Sequence, residues 1–535
     1  MNERIEKLMK TFEDLRFDSL IFIFGFGDGE YLDALLSCCC ERNIIYIIEP
    51  SLEDVYKYKN NIDKKNVFLI AYDEEKLEIL LRSTINSRNF VNLFVDKYGN
   101  YDERYKDEYN KFINLIDTSY YSVATFLYTN KSFKNIFIDN IFSNIDCINE
   151  STSLDLFMDY NKNIPAIIVS AGPSLDRNIK DMIKFKEKLK NFFIVAGNRT
   201  LKPLLDNGII PDIIVSIDPQ EVTYNMLKEI LNVKIPLVFY EQSNSKLVAE
   251  YEGDKIFTTQ GLFTCIKGLE NMSICFSGGS VAHCCTDIAV KIGCNPIIFA
   301  GQDFGYTYDK HHAEIAKLDI DKEINNLNVI KTKDVFGNEI LTDRLLNLYR
   351  KNMEFYIKYF TKFSGKSFLN VSYGADIEGA EFKEFSEILN EYNYNNLKKT
   401  LKIEEKSKID VDKIKIEVFN HIENTILEAT KAANICEEIT EEIIDENTVK
   451  KFAETLEVID RFVKNPNSLF FKGYLEEFLF NIKEKYFKMS AKEYPILTNN
   501  LIYQSKVFSS YFKELIKMLK EVKIVIEPYI DKMDV

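Results

Sequence analysis

The sequence lacks tryptophan, has only four histidines and contains no apolar run approaching the about 20 residues that a membrane span needs. Residues 1–20 are charged and helical in pattern. They do not place a basic segment before an apolar one, as a secretory signal peptide does. We therefore expect a cytoplasmic protein that does not insert into membranes.

Zinc-site and disulfide spacings are also missing, although the chain has ten cysteines. Cys38, Cys39 and Cys40 are consecutive, and Cys284 and Cys285 are adjacent, but neither group has the spacing of a structural metal site. The expectation is that the cysteines are reduced, as is usual in the cytoplasm.

Positive charge is in deficit, with a formal net charge of −15 and a pI of about 5.1. Generic binding to nucleic acid needs a basic surface, so this balance argues against it. It leaves room for a local site that binds phosphate. At 535 residues with 46% hydrophobic residues, the chain is long enough for several globular domains.

Apolar runs separated by helical patterns predict parallel sheets in two parts of the chain. We predict an α/β fold with a Rossmann-like N-terminal domain (1–130), a helical linker (131–160), a central α/β domain (161–394) and a C-terminal helical bundle (395–535). Within the central domain, residues 306–380 are expected to form loops and helices that cap the sheet. The predicted strands are residues 19–24, 44–48, 67–71, 90–95, 166–170, 192–196, 213–217, 237–240 and 297–300.

A first glycine cluster, Gly25-Phe26-Gly27-Asp28-Gly29, follows the first predicted strand and precedes a helix. Glu49 follows the next strand, where a ribose-binding carboxylate lies in dinucleotide sites. Two interpretations remain: a site for a nucleotide or S-adenosylmethionine, or a Rossmann-like unit whose glycines serve only its tight turn.

The central domain carries most of its polar motifs just after predicted strands, whose carboxyl ends meet at one edge of a parallel sheet. The first motif is Ser170-Ala171-Gly172-Pro173-Ser174-Leu175-Asp176, followed by a helix. Gly172 allows close backbone approach, and Ser174 with the first helical N–H groups can hold a phosphate. The alternative is an ordinary turn with Ser174 as the N-cap.

Two further motifs add polar side chains. Asn198 is a candidate for a ribose or base edge, and Arg199 is either a phosphate contact or a surface charge. Asp218 can bind a ribose or substrate hydroxyl or a metal, or it can cap its own turn. No second carboxylate lies two residues from Asp218, so the chain lacks a DxD metal motif there.

The last two motifs lie between residues 277 and 312. Ser277, Gly278, Gly279 and Ser280 open a helix and offer backbone donors for phosphate or carboxylate. His283, within that helix, is expected to be a packed core histidine.

The final loop combines acid, phenol and imidazole groups, which suit leaving-group stabilisation and proton transfer. Its histidines are adjacent, and a surface loop without chemistry is the alternative. The residues concerned are Asp303, Tyr306, Tyr308, His311 and His312.

Taken together, these stretches resemble the motility-associated-factor family of flagellin glycosyltransferases. The resemblance rests on SAGPSLDRNI, VAGNRTLKPLLDNGIIPDIIVSIDPQ, SGGSVAH and FAGQDFGYTYDKHHA, with NVSYGA further on, and it covers about half the chain. The central domain is also similar to bacterial sialyltransferases that carry a GNGPSL-type loop. Ala171 stands where those enzymes have Asn.

The resemblance implies a cytoplasmic enzyme that transfers a pseudaminic- or legionaminic-type nonulosonic acid from its CMP-activated form to Ser or Thr of flagellin, as flagellum assembly and motility require. By the resemblance, Gly172, Pro173 and Ser174 would contact CMP, and Asn198 the nucleotide. Leu175 and Asp218 are added to the donor site from their own motifs. Ser277, Gly278, Gly279 and Ser280 would lie near the donor, and Tyr306 or Tyr308 would face its departing phosphate.

The proton acceptor is not carried over by the resemblance. We assign it to His311 or His312, with Asp303 in reserve, from their place in the loop. Because helix termini and hydroxyls are predicted to face the phosphate, we expect no metal and no cofactor besides the donor.

Two alternatives remain open. The central domain also resembles archaeal pterin pyrophosphokinases, which transfer diphosphate from ATP with magnesium, and Asp218 would then be a metal ligand. The helical C-terminal region is also compatible with a flagellin-binding protein that has no catalytic activity.

Overall fold

The computed structural model describes residues 3–59, 62, 64–318, 321, 329–392, 401, 406–440 and 445–532. The fold is α/β with parallel sheets and C-terminal helices, which confirms the predicted class. Contacts divide the chain into two compact units: residues 1–134 with 418–527, and residues 135–417 with 528–535. Within the described ranges, no helix has both the length and the apolar character needed to cross a bilayer.

The N-terminal segment forms a four-stranded parallel sheet in the order β3-β2-β1-β4. One of its two central strands, with sequence LIFIF, is buried along its whole length, as expected for a parallel strand covered on both faces. The elements are α1 (Glu3–Thr11), β1 (Leu20–Phe24), α2 (Leu32–Cys38), β2 (Ile44–Glu49), α3 (Leu52–Tyr58), β3 (Val67–Ala71), α4 (Glu74–Thr84), β4 (Leu93–Lys97), α5 (Tyr101–Arg104) and α6 (Lys106–Ile148).

The central segment forms a nine-stranded sheet in which every pairing is parallel. A separate two-stranded hairpin is antiparallel. The elements are β5 (Thr152–Ser153), β6 (Ala166–Val169), α7 (Leu175–Lys184), β7 (Phe193–Gly197), α8 (Asn198–Asp206), β8 (Ile213–Ser216), α9 (Glu221–Leu227), β9 (Leu237–Phe239), α10 (Ser245–Glu250), β10 (Lys255–Phe257), α11 (Val281–Lys291), β11 (Ile297–Ala300), β12 (Val329–Lys333), β13 (Glu339–Asp343), α12 (Arg344–Ser364), β14 (Phe368–Asn370), β15 (Ala380–Phe382) and α13 (Phe385–Glu391).

The strand order is β15-β14-β11-β6-β7-β8-β9-β10-β5, and it reverses direction at β6. From β6 the chain builds β7 to β10 outward on one side, then returns through α11 to place β11 on the other side. In open α/β sheets, ligands bind beyond the carboxyl ends of the strands at such a reversal. The topology therefore directs attention to the loops that follow β6 and β11.

Side chains alternate between the two faces of this sheet, and both faces are covered. Ile168 of β6 packs in a cluster with residues of α11, whereas its neighbour Ile167 packs in a second cluster with residues of α7 and α13. Both isoleucines are fully buried. Full burial of such a side chain contributes about 1.5–3 kcal/mol to the free energy of folding. The loops at the edge of the sheet are therefore attached to strands that are well packed on both faces.

The region 306–380 departs from the prediction. It was expected to contain loops and helices, but it also contains the hairpin of β12 and β13 and the edge strands β14 and β15. The edge strands are three residues each, FLN and AEF, which is too short for a recognisable apolar run.

The C-terminal part is helical, as predicted. It contains α14 (Val411–Glu438), α15 (Glu446–Lys464), α16 (Lys472–Tyr486), α17 (Tyr494–Leu497) and α18 (Leu501–Asp531). Arg16 pairs with Glu484 at 2.9 Å, and the N–H of Ala491 donates to the carbonyl of Leu15 at 2.8 Å. Most of the C-terminal helices thus share one contact unit with the N-terminal sheet. The predicted boundary between residues 394 and 395 lies outside the described residues.

Candidate functional site

A cavity of about 330 Å³ opens beyond the carboxyl ends of β6, β7, β8 and β11, at the reversal of strand order. The loops after these strands supply most of its wall, and the first residues of α8 and α11 supply much of the rest. The main lining segments are residues 169–173, 197–200, 280–282 and 301–305, joined by Asp218, His311 and His312.

The structure brings part of the predicted site together at this cavity. The predicted residues that line it are Gly172, Pro173, Asn198, Asp218, Ser280, Asp303, His311 and His312. Seven others, all in the described part of the chain, are not among its lining residues: Ser174, Leu175, Ser277, Gly278, Gly279, Tyr306 and Tyr308.

Two helix N-termini converge on the cavity. Helix α8 begins at Asn198 directly after β7, and α11 begins at Val281; neither has a side-chain cap. A Cβ placed on Gly197 would lie 3.0 Å from Val281 Cγ1, so the two helix starts are in contact. Helix N-termini present unpaired N–H groups and a partial positive charge. The arrangement is suited to phosphate or carboxylate.

Asn198, which lines the same cavity, has a buried polar atom without a partner in the described part of the chain. Its side chain is only 6% exposed, and its Nδ2 donates to Ser216 Oγ at 3.2 Å. Its Oδ1 has no hydrogen-bond partner among the described residues. An unpaired buried acceptor costs about 1–3 kcal/mol, and a ligand N–H or O–H would remove that cost.

Asp218 is placed both to cap its own turn and to contact a ligand in the cavity. Its Oδ1 accepts the backbone N–H of Gln220 at 2.9 Å, so it caps its own turn, yet it also lines the cavity. Burial raises the pKa of this carboxyl above its ordinary value. Both interpretations made from the sequence, capping and ligand contact, are compatible with this place.

Asp303 is tied to the first motif. Its carboxylate accepts the backbone N–H of Ser174 at 3.1 Å and the hydroxyl of Ser174 at 2.5 Å. The same hydroxyl accepts the N–H of Tyr373 at 2.7 Å, and the side chain of Leu175 is buried in the core. Burial raises the pKa of Asp303 to about 6. The anion at the start of α7 is thus a carboxylate of the protein, and Ser174 is engaged with it.

The two adjacent histidines lie beside the ion pair of Arg199 and Asp321. Nδ1 of His311 and Nε2 of His312 are 3.1 Å apart, so one of these nitrogens donates to the other. Arg199 forms a bidentate pair with Asp321 at 2.7 and 2.8 Å, and Asp321 is 3.9 Å from His312. Burial lowers the pKa of His312 to about 4, assisted by the charges of Arg199 and His311. His312 is therefore neutral at pH 7.

The two predicted tyrosines are not among the residues that line the cavity. The hydroxyl of Tyr306 donates to Asp343 at 2.6 Å, and its ring packs against His311 at 5.4 Å between centroids. Tyr308 is 58% exposed, in a left-handed backbone conformation with φ of 56°. The role assigned to either hydroxyl at a leaving phosphate remains a prediction.

Three comparisons place this geometry among known proteins. The family model of MptE-like 6-hydroxymethylpterin diphosphokinases matches residues 139–309, about a third of the chain. No curated protein sequence matches the chain. The solved structure of a MAf glycosyltransferase from Magnetospirillum magneticum AMB-1 is similar over 100% of this chain and 85% of that one, with a TM-score of 0.57 and 14% identity. The chain shares the fold of that MAf glycosyltransferase.

One histidine was underestimated from the sequence. His283 is buried, as expected, but its Nδ1 lies 2.8 Å from the Oγ of Ser280, a cavity residue. The spacing carries a signal. Ser280 is the N-cap of α11 and His283 is at the third helical position, from which a side chain reaches back to the N-cap.

Gln302 was not predicted either. It lines the cavity, and its side-chain oxygen accepts a hydrogen bond from the hydroxyl of Ser170 at 2.6 Å. Its backbone N–H donates to Ser372 Oγ at 2.8 Å. Arg199, proposed from the sequence only as a phosphate contact or surface charge, also lines the cavity. Within the described ranges, no three His, Cys, Asp or Glu side chains cluster as a metal site requires.

The N-terminal glycine loop is filled by aromatic rings. A Cβ on Gly25 would lie 2.4 Å from the ring of Tyr101, whose hydroxyl accepts the N–H of Gly27 at 3.0 Å. Glu49 accepts the N–H groups of Phe26 and Ser51 at 2.7 and 2.8 Å. The close approach that these glycines allow is used by side chains of the protein, which favours the turn interpretation over the nucleotide interpretation.

Proposed function

We propose that this chain is a glycosyltransferase that moves a pseudaminic- or legionaminic-type nonulosonic acid from its CMP-activated form to Ser or Thr of flagellin. The observation that carries the proposal is the pair of helix N-termini, α8 and α11, at one cavity. A CMP-activated nonulosonic acid has two anionic groups close together, a phosphate and a carboxylate, and each helix N-terminus suits one of them.

The size of the cavity and the likeness of fold support the same proposal. About 330 Å³ falls within the range of roughly 300–1,000 Å³ typical of small-molecule sites. The similar solved structure is named as a glycosyltransferase, and the similarity extends over this whole chain. Asn198 supplies a buried acceptor that suits an N–H of the nucleotide.

The transfer breaks the bond between the anomeric carbon and a phosphate oxygen of CMP and joins that carbon to the acceptor hydroxyl oxygen. Negative charge grows on the departing phosphate, where the N–H groups at the start of one of these two helices stabilise it. The hydroxyl proton passes to a base. His311 and His312 are the candidates, because the carboxylate of Asp303 is already bonded to Ser174.

The proposal is tested by incubating the full-length protein with a CMP-activated nonulosonic acid and unglycosylated flagellin, with and without chelator. We expect CMP release and a mass increase on flagellin that chelator does not abolish. Asn198→Ala should weaken CMP binding about three- to tenfold, the effect of one neutral hydrogen bond. Asn207→Ala, at the other end of α8, is the matched control. Activity abolished by chelator and restored by magnesium would contradict metal-independent transfer.

A second candidate is a pterin pyrophosphokinase, supported by the family-model match over residues 139–309. Such an enzyme would transfer diphosphate from ATP to a hydroxymethylpterin and release AMP, with Asp218 among the metal ligands. The protein would be incubated with ATP, magnesium and 6-hydroxymethylpterin. AMP formation that depends on the pterin would support this candidate, and its absence alongside CMP release from the sugar donor would rule it out.

A further inference from the structure

The start of α11 contains a three-membered hydrogen-bond chain. Ser280 Oγ is 2.8 Å from His283 Nδ1, and His283 Nε2 is 2.9 Å from the carbonyl oxygen of Tyr349. Ser280 lines the cavity, whereas His283 is fully buried behind it. This chain of hydrogen bonds therefore runs from the cavity wall into the interior of the protein.

Donor and acceptor roles along this chain are determined by its inner end. A backbone carbonyl only accepts hydrogen bonds, so Nε2 of His283 carries the hydrogen. Burial disfavours the cation and lowers the pKa of His283 to about 4, because the hydrogen bonds of the ring to the backbone of Tyr349 and Ser280 oppose this shift only in part. The imidazole is therefore neutral at pH 7. In this neutral tautomer Nδ1 has a lone pair and no hydrogen, so the hydroxyl of Ser280 must donate to it.

Tight packing holds the arrangement in place. A Cβ on Gly278 would lie 2.4 Å from the imidazole ring of His283, and one on Gly279 would lie 2.7 Å from the ring of Tyr349. Phe276 packs edge-on against the imidazole, with centroids 5.8 Å apart. The two glycines of this motif thus allow the loop to lie directly on His283 and Tyr349.

We propose that Ser280 is a specificity-determining acceptor, held in that role by His283, which selects a ligand carrying an O–H or N–H group at this point of the cavity. With its hydrogen committed to His283, the Ser280 oxygen presents only lone pairs to the ligand. It complements the N–H donors of α8 and α11, which serve anionic groups. The inference rests on the proposed function for the ligand class: the donor group is the 2′-hydroxyl of the ribose, or a hydroxyl or amide of the transferred sugar.

The tautomer is testable without any ligand. Long-range ¹H–¹⁵N spectra of histidine-labelled full-length protein, assigned with single variants of the other three histidines, report which nitrogen of His283 carries hydrogen. We expect a neutral ring protonated at Nε2 between pH 6 and pH 8. Protonation at Nδ1, or a charged ring in this range, would overturn the inference.

The ligand contact is tested by calorimetric titration of wild type and Ser280→Ala with CMP, 2′-deoxy-CMP and CMP-N-acetylneuraminic acid. If the ribose is the donor, Ser280→Ala weakens CMP binding about three- to tenfold and leaves 2′-deoxy-CMP binding unchanged. If the sugar is the donor, only binding of the CMP-sugar weakens. Equal weakening of all three ligands, or of none, would contradict the inference.

Two further variants separate a specific role from a structural one. Ser280→Thr retains the hydroxyl and should restore the discrimination between ligands. His283→Gln keeps a donor for Tyr349 but removes the ring acceptor, so it should reduce the discrimination with Ser280 still present. Ser386→Ala on α13 controls for loss of a serine elsewhere. Failure of the wild type to bind any cytidine nucleotide would count against the proposed function, while the histidine spectra would still decide the role of Ser280.

Discussion

The carboxylate of Asp303 accepts two hydrogen bonds from Ser174, one from its backbone N–H and one from its hydroxyl. This pair closes the start of α7 with an anion that belongs to the protein. It distinguishes α7 from α8 and α11, whose starts face the cavity without a side-chain cap. The starts of α8 and α11 therefore leave their N–H groups available for an external anion, whereas the start of α7 does not.

We predict that Asp303 makes stability depend on pH. Its folded pKa of about 6 lies above the ordinary value, so protonation favours the folded state. The stabilisation is present in full below about pH 4 and is lost as the pH rises through 6, for a difference of about 3 kcal/mol. Urea unfolding followed by circular dichroism, with Asp303→Asn as reference, measures it. The stability of wild type relative to the variant should fall progressively between about pH 4 and pH 6 and then level off.

The matched control is Asp206→Asn, which alters an exposed acid at the end of α8. A surface substitution of this kind should change the free energy of unfolding by less than about 0.5 kcal/mol. A difference between wild type and Asp303→Asn that stays constant across the pH range would contradict the prediction.

The strands were predictable where buried apolar runs were long enough. AIIV and IIFA, of β6 and β11, are continuous apolar runs, and the structure has strands there. The sequence does not reveal that β6 lies between β7 and β11, because this pairing depends on the return of the chain through α11 across the sheet. The three-residue strands β14 and β15 are below the length at which alternation is visible.

Site prediction was limited by the pairing of polar side chains with one another. Placing motifs after strands was sufficient to gather Asn198, Asp218 and His312 at one cavity. It was insufficient for Ser174 and Tyr306, whose hydroxyls bond to Asp303 and Asp343 over separations of 129 and 37 residues. Partners so distant in sequence are determined by tertiary packing, which no local spacing encodes.

Gly172→Ala should destabilise the protein and impair the cavity. The added Cβ would lie 2.3 Å from Asp303 Oδ2, which is hydrogen-bonded to Ser174, and 2.6 Å from the backbone carbonyl oxygen of Gly301. We expect a loss of up to about 3 kcal/mol from overpacking, together with weaker nucleotide binding. Gly337→Ala, with open space around it, should lose only about 1 kcal/mol for its left-handed conformation and keep its binding. Equal nucleotide affinities in the two variants would contradict this prediction.

The protein should bind one nucleotide per chain. Tyr101 and Glu49 occupy the donors and the space of the N-terminal glycine loop, so calorimetry should give a stoichiometry of one. Gly25→Ala, with φ of +100° and a Cβ 2.4 Å from the Tyr101 ring, should lower stability and leave the affinity unchanged. Gly99→Ala, whose Cβ meets only Arg4 at 3.8 Å, should be milder. A stoichiometry of two would refute the turn interpretation.

The pH dependence of transfer should identify the base. If His312 accepts the proton, activity needs its neutral form, so the rate should be flat above pH 5 and fall below it with a midpoint near 4. Arg199, Asp321 and His311 face this ring, and substituting Arg199 should move the midpoint upward because its charge lowers the pKa. Rates of His312→Asn and His311→Asn, with His421→Asn as control, provide the measurement. A midpoint between pH 6 and pH 7 would exclude His312.

The groups that we propose to bind anions at the starts of α8 and α11 are peptide N–H groups, and this has an evolutionary consequence. Exchange of one side chain for another at residues 199, 281 or 282 leaves the peptide group in place, except where proline is introduced. A binding site of this kind is inherited with the backbone rather than with particular side chains. Substitutions can therefore change the side chains of this wall while the fold keeps the same N–H groups at the cavity.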